Sequence, residues 1–156
     1  YRQELSLNYD HHFQVVKIIF YQSLVDNYFL SATKNFKTFS IIINLSKHDE
    51  PGTHFVALFC TKENLFYFDP LGKKLTNKYI KIVVKKLKKF NIKFKDFKNK
   101  IQSDESNFCG FFCIAFLIAA YKNKIKQFFS IMDKKDLNKN DNLCIKFISY
   151  HIKNEQ

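Results

Sequence analysis

Between His11 and Leu30 the apolar residues Phe13, Val16, Ile19, Phe20, Leu24 and Tyr28 return every three or four positions, the spacing of an amphipathic helix, so one or two helices are expected there. The pattern then changes. TFSIIINL, residues 38–45, is a short β-branched run, and beyond the polar loop SKHDEPGT the runs HFVALFC and LFYF follow, separated by TKEN. Three strands are expected, the last two as a hairpin. Pro70 and Gly72 close this block, and from Thr76 the positions Ile80, Val83, Val84 and Leu87 mark a helix with lysines on its other face. NIKFKDFKNKI alternates apolar and charged residues, which predicts one or two exposed strands leading to Gln102. After the polar SDESNF, the segment CGFFCIAFLIAAY is apolar all round and rich in helix formers, so a buried helix is expected to start near Cys109. The polar DKKDLNKNDN separates it from a last amphipathic helix carrying Leu143, Ile145, Phe147, Ile148 and Ile152.

No repeat or domain boundary interrupts this order, and 156 residues are enough for one domain with a real core. The expected fold is α+β over residues 1–156: a small mixed sheet flanked by helices, with the helix that starts at Cys109 buried centrally and His54 and Asp69 presented to it from the sheet edge. With 46% hydrophobic and 17% aromatic residues, three Gly and two Pro, the chain is neither disordered nor collagenous. The longest apolar run, Cys109 to Tyr121, is too short to span a bilayer, and Tyr1 to Asp10 hold no apolar core of a secretory signal. No membrane association is expected. Cys60, Cys109, Cys113 and Cys144, unevenly spaced, read as reduced thiols in a reducing, intracellular compartment rather than as a disulfide framework.

Charge adds a second feature. Lys+Arg number 26 against 14 Asp+Glu, for a net charge of +12, and residues 73–100 hold twelve lysines against Asp96 alone. One reading is a solvated helix face in a lysine-rich chain; the other is a phosphate-contacting patch through Lys81, Lys85, Lys86, Lys88 and Lys89. Without arginine or interleaved aromatics, such contacts would bind DNA without reading its sequence.

The polar residues with the strongest chemical potential sit at element ends. His54 opens one strand and Asp69 closes its hairpin partner, so an antiparallel pairing sets them side by side and lets the carboxylate orient the imidazole. Cys109 lies at a helix start, where free N–H groups and the positive dipole end favour the thiolate. Gly110 leaves room for a substrate, the Cys109 N–H lies where an oxyanion would form, and Gln102 can supply a second donor. Taken together these residues suggest a Cys, His and Asp system with a Gln-assisted oxyanion hole for acyl transfer, which residue types alone do not establish. Against it stand plainer roles: a core histidine, a turn-forming Asp before Pro70, and buried structural cysteines.

What favours the sharper reading is a resemblance. PGTHFVALF, LFYFDPLG and QSDESNFCGFFC, in that order, resemble the catalytic blocks of the adenovirus maturation protease family, itself distantly related to proteases that process ubiquitin-like proteins. The resemblance runs from about Ile41 to Tyr121. It implies His54 as general base, Asp69 as its orienter, Gln102 as oxyanion donor and Cys109 as nucleophile. The seven-residue step from Gln102 to Cys109 is similar to the viral branch. Phe55 departs from the Trp usual after the histidine, and residues 70–101 lack the cysteine that tethers an activating peptide in the adenoviral enzyme.

The resemblance implies a cysteine endopeptidase that cleaves viral capsid or core precursors at small-residue or Gly-containing sites during maturation, in the virion and the host cytoplasm or nucleus, as a monomer. No cofactor is required on this reading, and activation by DNA or a peptide stays open. Length and lysine content fit a virophage-type or self-synthesising transposon element. Two alternatives remain open: a protease for ubiquitin-like proteins, and a catalytically silent DNA-binding structural protein. No metal site is expected, since Cys109 and Cys113 lack partners to complete four ligands. His11, His12, His48 and His151 are expected at the surface or in caps. Asp104 and Glu105 are expected to face solvent, and Cys60, Cys113 and Cys144 to lie in the core.

Overall fold

The computed structural model describes residues 6–7, 16–19, 38–45 and 54–154. Within them the chain forms β1 (Ser6–Leu7), β2 (Val16–Ile19), β3 (Phe39–Asn44), β4 (Phe55–Cys60) and β5 (Asn64–Phe68), then helix α1 (Lys78–Lys88), β6 (Lys93–Phe97), α2 (Cys109–Tyr121), α3 (Ile125–Ile131) and α4 (Asn140–Lys153). The six strands make one sheet in chain order, with β2 parallel to β3, β5 parallel to β6 and the other neighbours antiparallel. This is the mixed α+β sheet the sequence predicts.

Period-2 alternation divides the central strands between two apolar layers. Ile41 and Ile43 of β3, Val56 and Leu58 of β4, and Leu65 and Tyr67 of β5 pack under α1, against Ile80, Val83, Val84 and Leu87. Ile42, Ala57, Phe59 and Phe68 face the other way, toward α2 and Phe147 of α4. Being covered on both faces, β3 is buried throughout and needs apolar residues at nearly every position. Helix α2 explains its own composition in the same way: it lies between the sheet, α3 and α4, with Phe112, Cys113, Ala115, Phe116 and Ala119 fully buried.

Local chemistry sets the boundaries. Thr61 accepts from the Asn64 N–H through its hydroxyl (3.0 Å), forming the β4–β5 turn. The Asn77 side chain caps α1 by accepting from the N–H groups of Tyr79 and Ile80 at 3.0 and 3.2 Å. Asn91 and Asn123, with φ of 61° and 57°, take the left-handed conformation that ends α1 and α2. Gly72, at φ +66°, is required where it stands, because a Cβ there would lie 2.8 Å from the Lys100 backbone nitrogen.

The structure corrects several expectations. Residues 16–19, expected in a helix, form strand β2; the rest of the expected 11–30 helical stretch lies outside the described residues. The one or two exposed strands expected over 91–101 are, by contrast, found there as a single one, β6. It closes the sheet as an edge, with Lys93 and Lys95 exposed, a charged edge of the kind that discourages further strand pairing. Helix α3 is an additional element. His54 and Asp69 come from the ends of β4 and β5, which are interior strands, and not from an edge. His151 is buried rather than at the surface, its ring 4.5 Å from that of Phe147; His11, His12 and His48 lie outside the described residues.

Candidate active site

The antiparallel register that pairs Ala57 with Phe68 brings the start of β4 beside the end of β5. His54 precedes β4 and is pinned at its backbone by the Leu45 N–H, which donates to the His54 carbonyl (2.8 Å). Asp69 follows β5 and is almost fully enclosed. The His54 Nε2 and Asp69 Oδ1 are 2.9 Å apart. The same Oδ1 accepts from the Leu71 N–H (2.9 Å), so Asp69 is both a turn former and the partner of the imidazole. With Nε2 committed, Nδ1 is the ring nitrogen left for the Cys109 thiol, to which His54 is hydrogen bonded.

Cys109 begins α2, and its sulfur also receives the backbone N–H groups of Phe55 and Gly110. Burial works against the thiolate, yet the His54 hydrogen bond, these N–H groups and the imidazolium charge together hold the Cys109 pKa below its ordinary value. The imidazole responds in kind. Burial lowers its affinity for a proton, but the hydrogen bonds and negative charge of Asp69 and Cys109 prevail and raise the His54 pKa from 6.5 to about 9. The other three thiols go the opposite way: burial pushes Cys60 and Cys144 up to about 12 and Cys113 well above its ordinary value. None of the four is in a disulfide and all are buried, and of them Cys109 alone carries both a lowered pKa and a basic partner.

Gln102 is buried in the loop between β6 and α2. Its backbone N–H and that of Ile101 both donate to the Pro70 carbonyl, at 3.1 and 3.0 Å, which ties the loop to the residue after Asp69. Its side-chain Nε2 donates to the Ser106 carbonyl (2.6 Å), and its Oε1 is buried without a partner among the described residues. Phe55 packs on the start of α2: a Cβ on Gly110 would rest 3.8 Å from the Phe55 ring. The Phe55 carbonyl in turn accepts from the Cys113 thiol (3.4 Å). Asp104 and Glu105 face solvent, Asp104 pairing with Lys100 at 2.7 Å.

Thus His54, Asp69 and Cys109 come together, with Gln102 anchored beside Asp69. The lysines are elsewhere. Lys81, Lys85, Lys88 and Lys89 are exposed and Lys86 half-buried along α1 and its C-terminal end, across the sheet from α2. Ser106, Asn140 and Asp141 hold the loop that carries Gln102, and none of them stands out in the sequence. The last two lie in a polar stretch read as a connector, and nothing in its pattern marks them.

A buried thiolate-stabilising cysteine at a helix start, an imidazole shared with a carboxylate, and a buried amide nearby form an arrangement suited to nucleophilic acyl transfer. The model of the YopJ serine/threonine acetyltransferase family matches residues 6–155. The chain belongs to that family. The crystal structure of the selenomethionine-labelled ASFV pS273R protease is also similar, at 18% identity and a TM-score of 0.47, over 58% of this chain and 38% of that one. The chain therefore spans well under half of that protease. No curated protein sequence matches the chain significantly. Among the described residues, no helix is long and apolar enough to cross a membrane.

Proposed function

We propose that this protein is a cysteine acyl-transfer enzyme acting as an endopeptidase. The observation that carries the reading is the His54 imidazole held at 2.9 Å by Asp69 and hydrogen bonded to a thiol whose pKa is lowered. The Cys109 thiolate attacks a peptide carbonyl, forming the C–S bond, while the second Gln102 N–H and the Cys109 backbone N–H stabilise the oxyanion. Protonated His54 gives its proton to the departing amine as the C–N bond breaks. Neutral His54 then takes a proton from water, whose oxygen attacks the thioester and releases the acid and the thiolate. Capsid or core precursors with small residues at the scissile bond are the substrates we propose, supported by the order and spacing of the three blocks around His54, Asp69 and Cys109. Ubiquitin-like proteins are the competing substrate class.

A second reading is favoured by the family match across residues 6–155: the same thioester, formed with an acetyl group, is discharged to a serine or threonine hydroxyl instead of water. Both readings use Cys109, and the acceptor separates them. The protein is incubated with a fluorogenic peptide carrying Gly at the scissile position, with a fluorogenic ubiquitin-like substrate, and with an acetyl thioester plus a hydroxyl-bearing peptide. Cleavage of the first that is lost in Cys109→Ala is the expected result. Cleavage of the second alone replaces the substrate class. Transfer of acetyl through Cys109 to the hydroxyl peptide, without cleavage, establishes the second reading. No Cys109-dependent product in any arm overturns acyl transfer.

The exposed lysines of α1 support a further part of the proposal, nonspecific contact with DNA phosphates. Retention on DNA is expected to fall steeply between low and physiological salt, and to be lost when Lys81, Lys85, Lys86, Lys88 and Lys89 become Gln. Retention unchanged by the substitutions would leave these lysines as a solvated face.

A further inference from the structure

The loop from Ile101 to Phe108 carries Gln102 and delivers the chain to Cys109, yet it has no regular structure of its own. Two residues at the start of α4 hold it. Asn140 is fully buried, and its amide is completely used: Nδ2 donates to the carbonyls of Ile101 (2.8 Å) and Asp133 (3.0 Å), while Oδ1 accepts from the Asp133 N–H (2.7 Å). The carbonyl immediately before Gln102 is thereby fixed. Asp141 Oδ1 accepts from the Ser106 hydroxyl (2.8 Å), and that hydroxyl oxygen accepts from the Phe108 N–H (3.2 Å). Ser106 is thus held from two sides, and its carbonyl receives the Gln102 side chain (2.6 Å).

This contact decides which way the Gln102 amide faces. Reversing the amide would set its oxygen against the Ser106 carbonyl oxygen, two acceptors with no hydrogen between them. With one N–H engaged by Ser106, the second N–H is the donor that remains, while Oε1 is buried and, among the described residues, without a partner. We propose that Asp141 is a positioning residue: by clamping Ser106 it orients the Gln102 amide, so that the start of α4 sets the oxyanion donor without touching the reacting atoms. This inference rests on the acyl-transfer reading of Cys109.

The test compares two reactions of the same thiol. Acylation by p-nitrophenyl acetate passes through an oxyanion, as the thiolate forms the C–S bond and nitrophenolate leaves; alkylation by iodoacetamide displaces iodide at a saturated carbon and needs no oxyanion donor. The single-turnover burst of nitrophenolate is expected to slow about tenfold in Asp141→Ala and in Ser106→Ala, with alkylation at the wild-type rate and little change in thermal midpoint. Asp141→Asn, which keeps an acceptor oxygen for Ser106, is expected to restore most of the burst. In a Gln102→Ala background, Asp141→Ala is expected to slow acylation no further, since a residue acting through Gln102 has nothing left to act on.

An unchanged burst in Asp141→Ala and Ser106→Ala overturns the inference alone. Equal loss of burst and alkylation, or a full additional loss in the Gln102→Ala background, also overturns it, because Asp141 would then act on the site by general disruption. A wild-type burst no larger than that of Cys109→Ala overturns the acyl-transfer reading itself.

Discussion

In the His54→Ala variant, acyl transfer at Cys109 falls by at least about 10³-fold, and iodoacetamide near neutral pH no longer prefers Cys109 over Cys60, Cys113 and Cys144. The expectation follows from the balance at the sulfur. Burial raises the Cys109 pKa, and several influences together outweigh it, the His54 hydrogen bond being the largest of them. Without the imidazole, burial is opposed only by two backbone N–H groups, and the thiol stays protonated at neutral pH. The wild-type pH profile has two limbs. Activity rises as Cys109 ionises, at a pH below that of an ordinary thiol, and declines through about 9 as His54 loses the proton it must give to the leaving group.

The same shifts enter stability with opposite signs. Protonated His54 stabilises the fold fully below its ordinary pKa of 6.5, and this contribution is lost as pH rises through about 9. The Cys109 thiolate contributes fully above its ordinary 9.0, and its share is lost as pH falls through its lowered value. Between the two, the ion pair is intact and the pair titrates as a unit. Stopped-flow alkylation of both proteins across this range is the measurement. A His54→Ala profile that overlays the wild type would show that the imidazole does not activate the thiol.

The second large effect is on stability. Phe116 of α2 is fully buried, stacks on Phe68 with ring centroids 4.5 Å apart, and meets Phe97 edge-on at 5.5 Å. Truncation to Ala removes an aromatic ring between β5, β6 and α2 and leaves a cavity that rigid neighbours cannot close, so Phe116→Ala is expected to cost about 3–5 kcal/mol. That is a large part of the roughly 5–15 kcal/mol that holds a typical domain together. Phe111, nearly half exposed on the same helix, is the control, and Phe111→Ala is expected to cost under about 1 kcal/mol. Urea unfolding measures both. Equal midpoints for the two variants would mean that the aromatic layer is not the centre of the core. Phe68 directly precedes Asp69, so the Phe116→Ala site is also expected to loosen at its carboxylate.

Much of this arrangement is legible in the chain because the governing forces are local. The β-branched run Phe39–Asn44 and the hairpin across Thr61–Asn64 declare their conformation through neighbours in sequence, and the hairpin alone makes His54 and Asp69 adjacent. The all-apolar α2 signals a helix buried on every side. Residues 16–19 were open to misreading because Phe13, Val16, Ile19 and Phe20 satisfy a helical spacing, while the competing signal, three β-branched residues in four positions, is completed only by pairing with β3. Helix α3 is short, and its single fully buried residue, Phe128, gives no periodicity to read. Asn140 and Asp141 are illegible for a different reason. Their partners Ile101 and Ser106 are more than thirty positions away, and only the folded packing of α4 beside the loop gives these polar residues a task.

The hydrogen bond from Cys113 to the Phe55 carbonyl bears on how this site would meet peroxide. A second cysteine one helical turn from a reactive thiolate would ordinarily be a candidate to capture a sulfenic acid and protect it as a disulfide. Here Cys113 is fully enclosed, held as a thiol by burial and by the nearby negative charges, and already donating its proton to the backbone. It cannot serve as a resolving thiolate. Oxidised Cys109 therefore has no resolving thiol within its own helix.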